Sequence, residues 1–334
     1  MCTAATIHTY THRSLTLFQK ANIAIMTSED TTTFTTFTPE QAAQYAVGRG
    51  GAYPSPIYQA ILEFHSGRRN IFLDIGTGPG KVVFDLIPLF QHGIGCDSGV
   101  QMIEQAKKDA TRLGYDTAGR TSFVVARGED CAIAVPDPRI GQIDLITVAM
   151  AAHWLDLPKF YASAARVLRP GGTLAIWTCS SYYCHPSTPH ADKVQDILFD
   201  LERNMLAPYA TPGNMLSRDA YENLDLPWTG AEGLFDKASF RRWDWDRDGV
   251  PSTPEPADGS PGPFLFSEEE TPEQFGVGFD SASMVVRWRQ ANPGKVHGEE
   301  DPVKLTVKRL EEVLGQHGKF TAGPSCSLLL MRKT

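Results

Sequence analysis

Along the first half of the chain, short apolar runs alternate with longer segments whose apolar residues recur every three or four positions. Asn70-Ile71-Phe72-Leu73-Asp74-Ile75 is an apolar run that ends in glycines, as a buried strand entering a tight turn would. Helical spacing follows over Lys81 to Leu89, a strand-like run over Gly93 to Cys96, and helical spacing again from Val100 to Leu113. In that last segment Val100, Ile103, Ala106, Ala110 and Leu113 share one face. Ser122 to Val125 and Ile143 to Ala149 read as strands and Leu157 to Leu168 as a helix. A Pro170-Gly171-Gly172 turn then opens a strand over Thr173 to Thr178. Upstream, Thr38-Pro39-Glu40-Gln41 is a capping-box start that predicts a helix to about Val47, and Ile57 to Phe64 is helix-like.

Strands that alternate with helices predict a parallel sheet covered on both faces, with right-handed crossovers. The expected fold class is therefore α/β: a doubly wound, mostly parallel, Rossmann-like sheet. After Thr178 the rhythm breaks. A helix near Ala191 to Met205, the aromatic-rich stretch Trp228 to Trp245 and the Pro-rich stretch Val250 to Pro263 read as an inserted, mostly helical cap. A second Thr-Pro-Glu-Gln start at Thr271, an amphipathic helix over Pro302 to Leu314 and a buried strand over Ser325 to Arg332 follow. The expected organisation is a disordered tail over 1–37, an α/β core over 38–178, a cap over 179–300, and a helix and strand over 301–334 that complete the core sheet.

Composition narrows the function. Among 334 residues, 31 Lys and Arg against 39 Asp and Glu give a net charge of −8, which disfavours a nucleic-acid partner. No apolar run reaches the length of a membrane helix. The cysteines at 2, 96, 131, 179, 184 and 326 form no paired framework, which points to a reducing compartment and a cytoplasmic location. Residues 1 to 30 are Thr-rich with Arg13 and Lys20, similar in composition to a transit peptide, although a plain unstructured N-terminus explains them equally well. Cys179, Cys184, His185 and His190 match no common zinc spacing, so no metal is expected.

The chemistry centres on Phe72-Leu73-Asp74-Ile75-Gly76-Thr77-Gly78-Pro79-Gly80-Lys81, a strand, a glycine turn and a helix start. Its glycines let a ligand approach the backbone while helix N–H groups point at it, which suits a nucleotide. The third glycine falls two positions after the second rather than three, which argues against NAD and FAD, and a P-loop is excluded. Asp97 ends the next strand 21 residues beyond Gly76, where a carboxylate can accept both ribose hydroxyls.

These residues resemble the class I S-adenosylmethionine-dependent methyltransferases. Asp74 to Gly80 is similar to their cofactor loop and Asp97 to their ribose-binding acid. Arg127-Gly128-Glu129-Asp130 resembles the adenine-edge segment, and Arg166 to Gly172 the turn before the fifth strand. A finer resemblance is to the trans-aconitate and small-molecule O-methyltransferase branch, through Tyr45 to Arg49 and Tyr53-Pro54, through Ala151-Ala152-His153-Trp154-Leu155-Asp156, and through Ser281 to Arg289.

The resemblance implies S-adenosyl-L-methionine as cofactor, held by Asp74, Gly76, Thr77, Gly78, Gly80, Asp97, Gly128, Glu129 and Ala149. It implies a small-molecule acceptor, an anionic carboxylate or a hydroxyl, met by Tyr45, Arg49, Tyr53, Trp154 and Arg287. His153 stands at the carboxyl edge of the sheet as catalytic base or as a residue that orients substrate, against a reading in which it packs beside Trp154. The alternatives are O-methylation of a secondary metabolite and a non-catalytic protein that binds S-adenosylmethionine.

Overall fold

The computed structural model describes residues 35, 37–48, 53–116, 119–229, 233–266, 268–315 and 317–334. An eight-stranded sheet in the order β3-β2-β1-β4-β5-β8-β6 forms its centre, with β7 paired to β8 off that path. β1 (Ile71–Ile75), β2 (His92–Asp97), β3 (Thr121–Val125), β4 (Ile143–Ala149) and β5 (Leu168–Cys184) run parallel. β8 (Phe320–Lys333) lies antiparallel between β5 and β6 (Phe235–Trp245), and β7 (Glu268–Glu270) pairs with its start.

Helices α1 (Pro39–Gly48), α2 (Ser55–Phe64), α3 (Lys81–Leu86), α4 (Val100–Arg112) and α5 (Leu157–Val167) surround the parallel strands. Because strand side chains alternate, Phe72, Leu145 and Leu328 pack with Ile57, Val83 and Ile103 of α2 to α4 on one face. Leu73, Ile146, Leu174 and Leu329 meet Phe160 and Ala164 of α5 on the other. Both faces are buried, which is why the strands read as near-continuous apolar runs. The apolar stripe of α4 is narrower than its sequence suggested: Ile103, Ala106 and Ala110 are buried with Met102, while Val100 and Leu113 at its ends are exposed. Thr38 starts α1 as expected, its hydroxyl accepting from Gln41 N at 3.2 Å while its own N–H donates to Gln41 Oε1 at 2.8 Å.

The stretch read as cap, 179–300, gives three segments to the sheet: the end of β5, β6 and the short β7. Phe235–Trp245, inside the stretch read as cap, returns to the sheet as edge strand β6, with Trp243 opposite Leu328. Its charged, half-exposed residues suit an edge, which hid it from a search for apolar runs. The cap is built on the long ends of β5 and β8, which stay paired from Tyr182↔Pro324 to Cys184↔Ala322. Around them α6 (Ala191–Asp200), α8 (Pro272–Phe279), α9 (Ser283–Ala291) and α10 (Pro302–Leu314) enclose a second core of Ile197, Leu201, Phe275, Val285, Trp288 and Phe320, while α7 (Pro212–Arg218) sets Leu216 against the first. No described helix is long and apolar enough to cross a membrane.

Buried Asp144 ties the amino ends of the central strands together. It accepts from Arg68 Nε and Arg169 Nε, both at 2.7 Å, and from the N–H groups of Asn70 and Ile71 at 2.9 and 3.0 Å. Burial alone would raise its carboxyl, but the Arg68, Ile71, Arg169 and Asn70 bonds overcome it and hold the acid below its ordinary range. The folded pKa lies below the unfolded one, so this stabilisation is complete above the ordinary carboxylate pKa and is lost as pH falls through the lower folded value. Asp144→Asn turns an amide donor toward groups that are all donors. Urea unfolding at neutral pH is expected to show a loss of about 2 kcal/mol. A change under 0.5 kcal/mol in that measurement would refute the anchoring role.

Candidate functional site

At the carboxyl end of β1 the chain turns through Gly76, Thr77, Gly78 and Pro79, and Gly80 caps α3. Gly76 has φ +65°, and a Cβ there would lie 2.5 Å from the Ala151 Cβ, so the loop after β4 closes directly against it. Gly78 has φ +52° with open space within 4 Å of where its Cβ would stand, leaving bare backbone for a ligand. Asp97 fastens this turn to β2. Its Oδ2 accepts from Gly78 N at 2.9 Å and its Oδ1 from Gly99 N at 2.8 Å, which fixes its rotamer while each oxygen keeps a further lone pair. Burial raises the Asp97 carboxyl, and the Gly99 and Gly78 N–H groups oppose the rise.

Asp74 lies beneath the turn, fully buried on β1 and in register with Thr147 of β4. The Thr147 hydroxyl donates to Asp74 Oδ1 at 2.6 Å, whereas Asp74 Oδ2 and the buried Thr77 Oγ1 have no hydrogen-bond partner. Burial pushes the Asp74 carboxyl up to about 7 despite the Thr147 and Thr77 hydroxyls beside it. Two buried polar atoms left unsatisfied next to bare backbone are costly unless a ligand completes them. They stand where β1 has β2 on one side and β4 on the other, the switch point at which such sheets bind ligands.

The remaining residues singled out from the sequence fall into several environments. Gly128 packs tightly, since a Cβ there would meet Leu155 and Ile75 at 2.7 and 2.9 Å. Glu129 Oε1 accepts from Asp156 N at 2.9 Å, joining the loop after β3 to the start of α5. Ala149 closes β4 opposite Trp177. Tyr53 sets its ring edge-on to Trp177 at 5.3 Å, and Lys81 Nζ lies 4.2 Å from its centroid. Tyr45 of α1 packs on Phe37 at 6.1 Å, and Arg49 lies outside the described residues, as does the segment over 1–30.

His153 is buried on the turn after β4, its Nδ1 2.6 Å from the Tyr221 hydroxyl and its ring 4.6 Å from that of Trp154. Burial holds the Tyr221 phenol above its ordinary range, and the Thr178 hydroxyl stands beside it. Thr178 Oγ1 in turn is 2.7 Å from Ser217 Oγ. Two buried pairs thus lie side by side, Ser217 with Thr178 and Tyr221 with His153. Arg287 is taken up within the cap, donating to Tyr209 O at 2.8 Å and to Asn214 Oδ1. Arg289 is bound to Asp301 at 2.9 Å and Asp280 at 2.7 Å.

A cavity of about 150 Å³ opens in the cap beside β5, lined by Cys179, Tyr182, Glu202, Ser217, Phe275 and Met284 among others. Thr147, Thr178, Tyr221 and Glu202 were not singled out from the sequence; Thr147 and Thr178, hydroxyls in apolar strands, left a local signal. Among the described residues no three metal-ligating side chains gather.

Residues 73–176 match the family model described as "Methyltransferase domain". The chain is 33% identical over 135 residues to the probable S-adenosylmethionine-dependent methyltransferase CRG1 of Saccharomyces cerevisiae, covering 40% of this chain and 43% of that protein. It is 30% identical over 214 residues to methyltransferase ptaI of Pestalotiopsis fici, covering 59% and 60% of the two chains. The chain thus spans about half the length of these curated relatives. A solved structure of a proposed type II methyltransferase from Anaeromyxobacter dehalogenans shares the fold, with a TM-score of 0.59 at 20% identity over 84% of this chain and 97% of that one.

Proposed function

We propose, from the premise that residues 73–176 are a class I S-adenosylmethionine-dependent methyltransferase domain, that this chain transfers a methyl group to an oxygen of a small molecule. The observation that carries the reading is the bare backbone at Gly78, fastened to Asp97 and flanked by the unpartnered Asp74 Oδ2 and Thr77 Oγ1. These groups fit the cofactor. Asp97 would hold the ribose hydroxyls, the Gly76–Gly80 turn and Asp74 the amino-acid end, and the Gly128–Glu129 segment with Ala149 the remainder. When bound, S-adenosylmethionine supplies a methyl group on a positively charged sulfur.

The protein's own work is to hold the acceptor oxygen roughly 3 Å from that methyl, in line and shielded from water. The new O–C bond forms as the S–C bond breaks, and a hydroxyl acceptor must also lose a proton, for which His153, paired with the Tyr221 hydroxyl, is the base at hand. A carboxylate acceptor of the trans-aconitate kind needs no base but does need a cation nearby. Arg287 and Arg289 are engaged by cap partners and so are not held ready for a carboxylate, and we take a hydroxyl as the acceptor oxygen. Free thiols such as Cys96, Cys131 and Cys184 suit a reducing, cytoplasmic setting.

Incubation with methyl-labelled cofactor and a metabolite extract is expected to yield a labelled methyl ether. Tight cofactor binding with no label transferred to any metabolite would overturn catalysis in favour of a non-catalytic binding protein.

Asp74 gives this reading a pH signature. Its carboxyl, pushed up to about 7, must ionise to pair with a cationic amino group, so cofactor binding releases a proton below that pH. Affinity for S-adenosylhomocysteine by calorimetry is expected to rise by up to about tenfold per pH unit below 7 and level off above it. Asp74→Asn should flatten the profile. A wild-type profile already flat between pH 5.5 and 7 would remove Asp74 from the amino-group site.

A further inference from the structure

We propose, resting on the methyl-transfer reading, that the cap cavity is the acceptor site and that it takes an uncharged, mainly apolar ring compound whose hydroxyl group hydrogen-bonds Glu202. Position is the first argument. Cys179, on the cavity wall, donates its N–H to Met150 Sδ at 2.8 Å, and Met150 directly follows β4. β4 is the neighbour of β1, so the wall stands two strands, ~10 Å at the usual strand spacing, from the cofactor turn.

Size and lining are the second. A volume of about 150 Å³ is the scale of a single aromatic ring, and Tyr182, Phe275, Phe279 and Met284 offer faces and edges to such a ring. Charge is the third. Glu202 and Arg218 are the two charged groups on the wall, and Arg203 Nε lies 3.9 Å from Glu202 Oε2, so the carboxylate is already countered. With one charge of each sign on the wall, an ion of either sign meets a repelling group as well as an attracting one, which a neutral molecule avoids.

Glu202 is built to meet a donor. It sits in a π turn, Leu201–Met205, that continues α6, an irregularity frequent at functional sites. The Ser181 hydroxyl donates to its Oε2 at 2.8 Å and fixes the side chain, while its Oε1 makes no hydrogen bond among the described residues. Burial raises its carboxyl, and the Ser181 bond and the Arg218 and Arg203 charges oppose the rise.

The test is calorimetry on the full chain saturated with S-adenosylhomocysteine, titrated with 3-methylphenol, 3-methylbenzoate and 3-methylbenzylammonium. Binding of the phenol, with both ions at least tenfold weaker, is expected. Glu202→Gln should weaken the phenol about tenfold by replacing a charge-assisted bond with a neutral one. Met284→Trp and Ala210→Phe, each filling the cavity, should abolish phenol binding while leaving the S-adenosylhomocysteine isotherm unchanged, which also reports that each variant is folded. Benzoate or ammonium binding as tightly as the phenol, or phenol affinity untouched by the filling variants, would overturn the proposal. The same titrations without S-adenosylhomocysteine separate the two readings. Failure of the homocysteine compound to bind would overturn the methyl-transfer reading alone, and phenol binding that the filling variants abolish would still uphold the cavity.

Discussion

Asp97→Ala is expected to lower affinity for S-adenosylhomocysteine on the order of 1000-fold. The carboxylate would accept two ribose hydroxyls, and hydrogen bonds to a charged group contribute about 1.5–3 kcal/mol each, so together roughly 4 kcal/mol is at stake. A second effect adds to the first. The same carboxylate holds Gly78 N and Gly99 N at 2.9 and 2.8 Å, and without it the turn loses the bond that sets its distance from β2. Asp97→Asn separates these contributions, because its amide oxygen can still accept from one of the two N–H groups while its NH₂ is set against the other. An intermediate loss is expected there, with a fall in melting temperature smaller than for Asp97→Ala. Calorimetry that finds Asp97→Ala within threefold of wild type would remove Asp97, and with it the ribose subsite, from the cofactor site.

What the sequence made legible was local. The strand, glycine turn and helix around Gly76 follow from neighbours within ten residues, and Asp97 follows from the length of one strand–helix–strand unit, so periodicity and turn chemistry were enough. What it hid was long-range. Tyr221 meets His153 across 68 residues, and Glu202, in the π turn that continues α6, meets Ser181 across 21. Neither pairing has a period or a spacing that a single chain could display. Arg287 and Arg289 looked available for an anionic substrate because alternate charges around a tryptophan say nothing of Asn214, Asp280 or Asp301. Edge strand β6 escaped for the opposite reason: its charges suit the rim of a sheet and so resemble a loop.

With a hydroxyl acceptor, His153→Ala is expected to lower kcat about 100-fold or more while S-adenosylhomocysteine binding holds. Tyr221 carries the argument. Burial keeps its phenol protonated, and in the tautomer whose Nδ1 carries no proton it donates to that nitrogen across 2.6 Å, which makes Nδ1 the basic one. A proton leaving the acceptor can then pass through the Tyr221 hydroxyl to His153, the phenol giving one proton as it receives another. Tyr221→Phe breaks this route without touching the imidazole, so it should reproduce much of the kcat loss and abolish the acid limb of the pH–rate profile. A packing role for His153 predicts a different pattern, in which both variants lower the melting temperature and KM shifts while the acid limb survives. For a carboxylate acceptor the same route is idle, because that oxygen is already ionised at neutral pH, and His153→Ala should cost little. A hundredfold loss with such an acceptor would mean that His153 positions substrate rather than taking its proton.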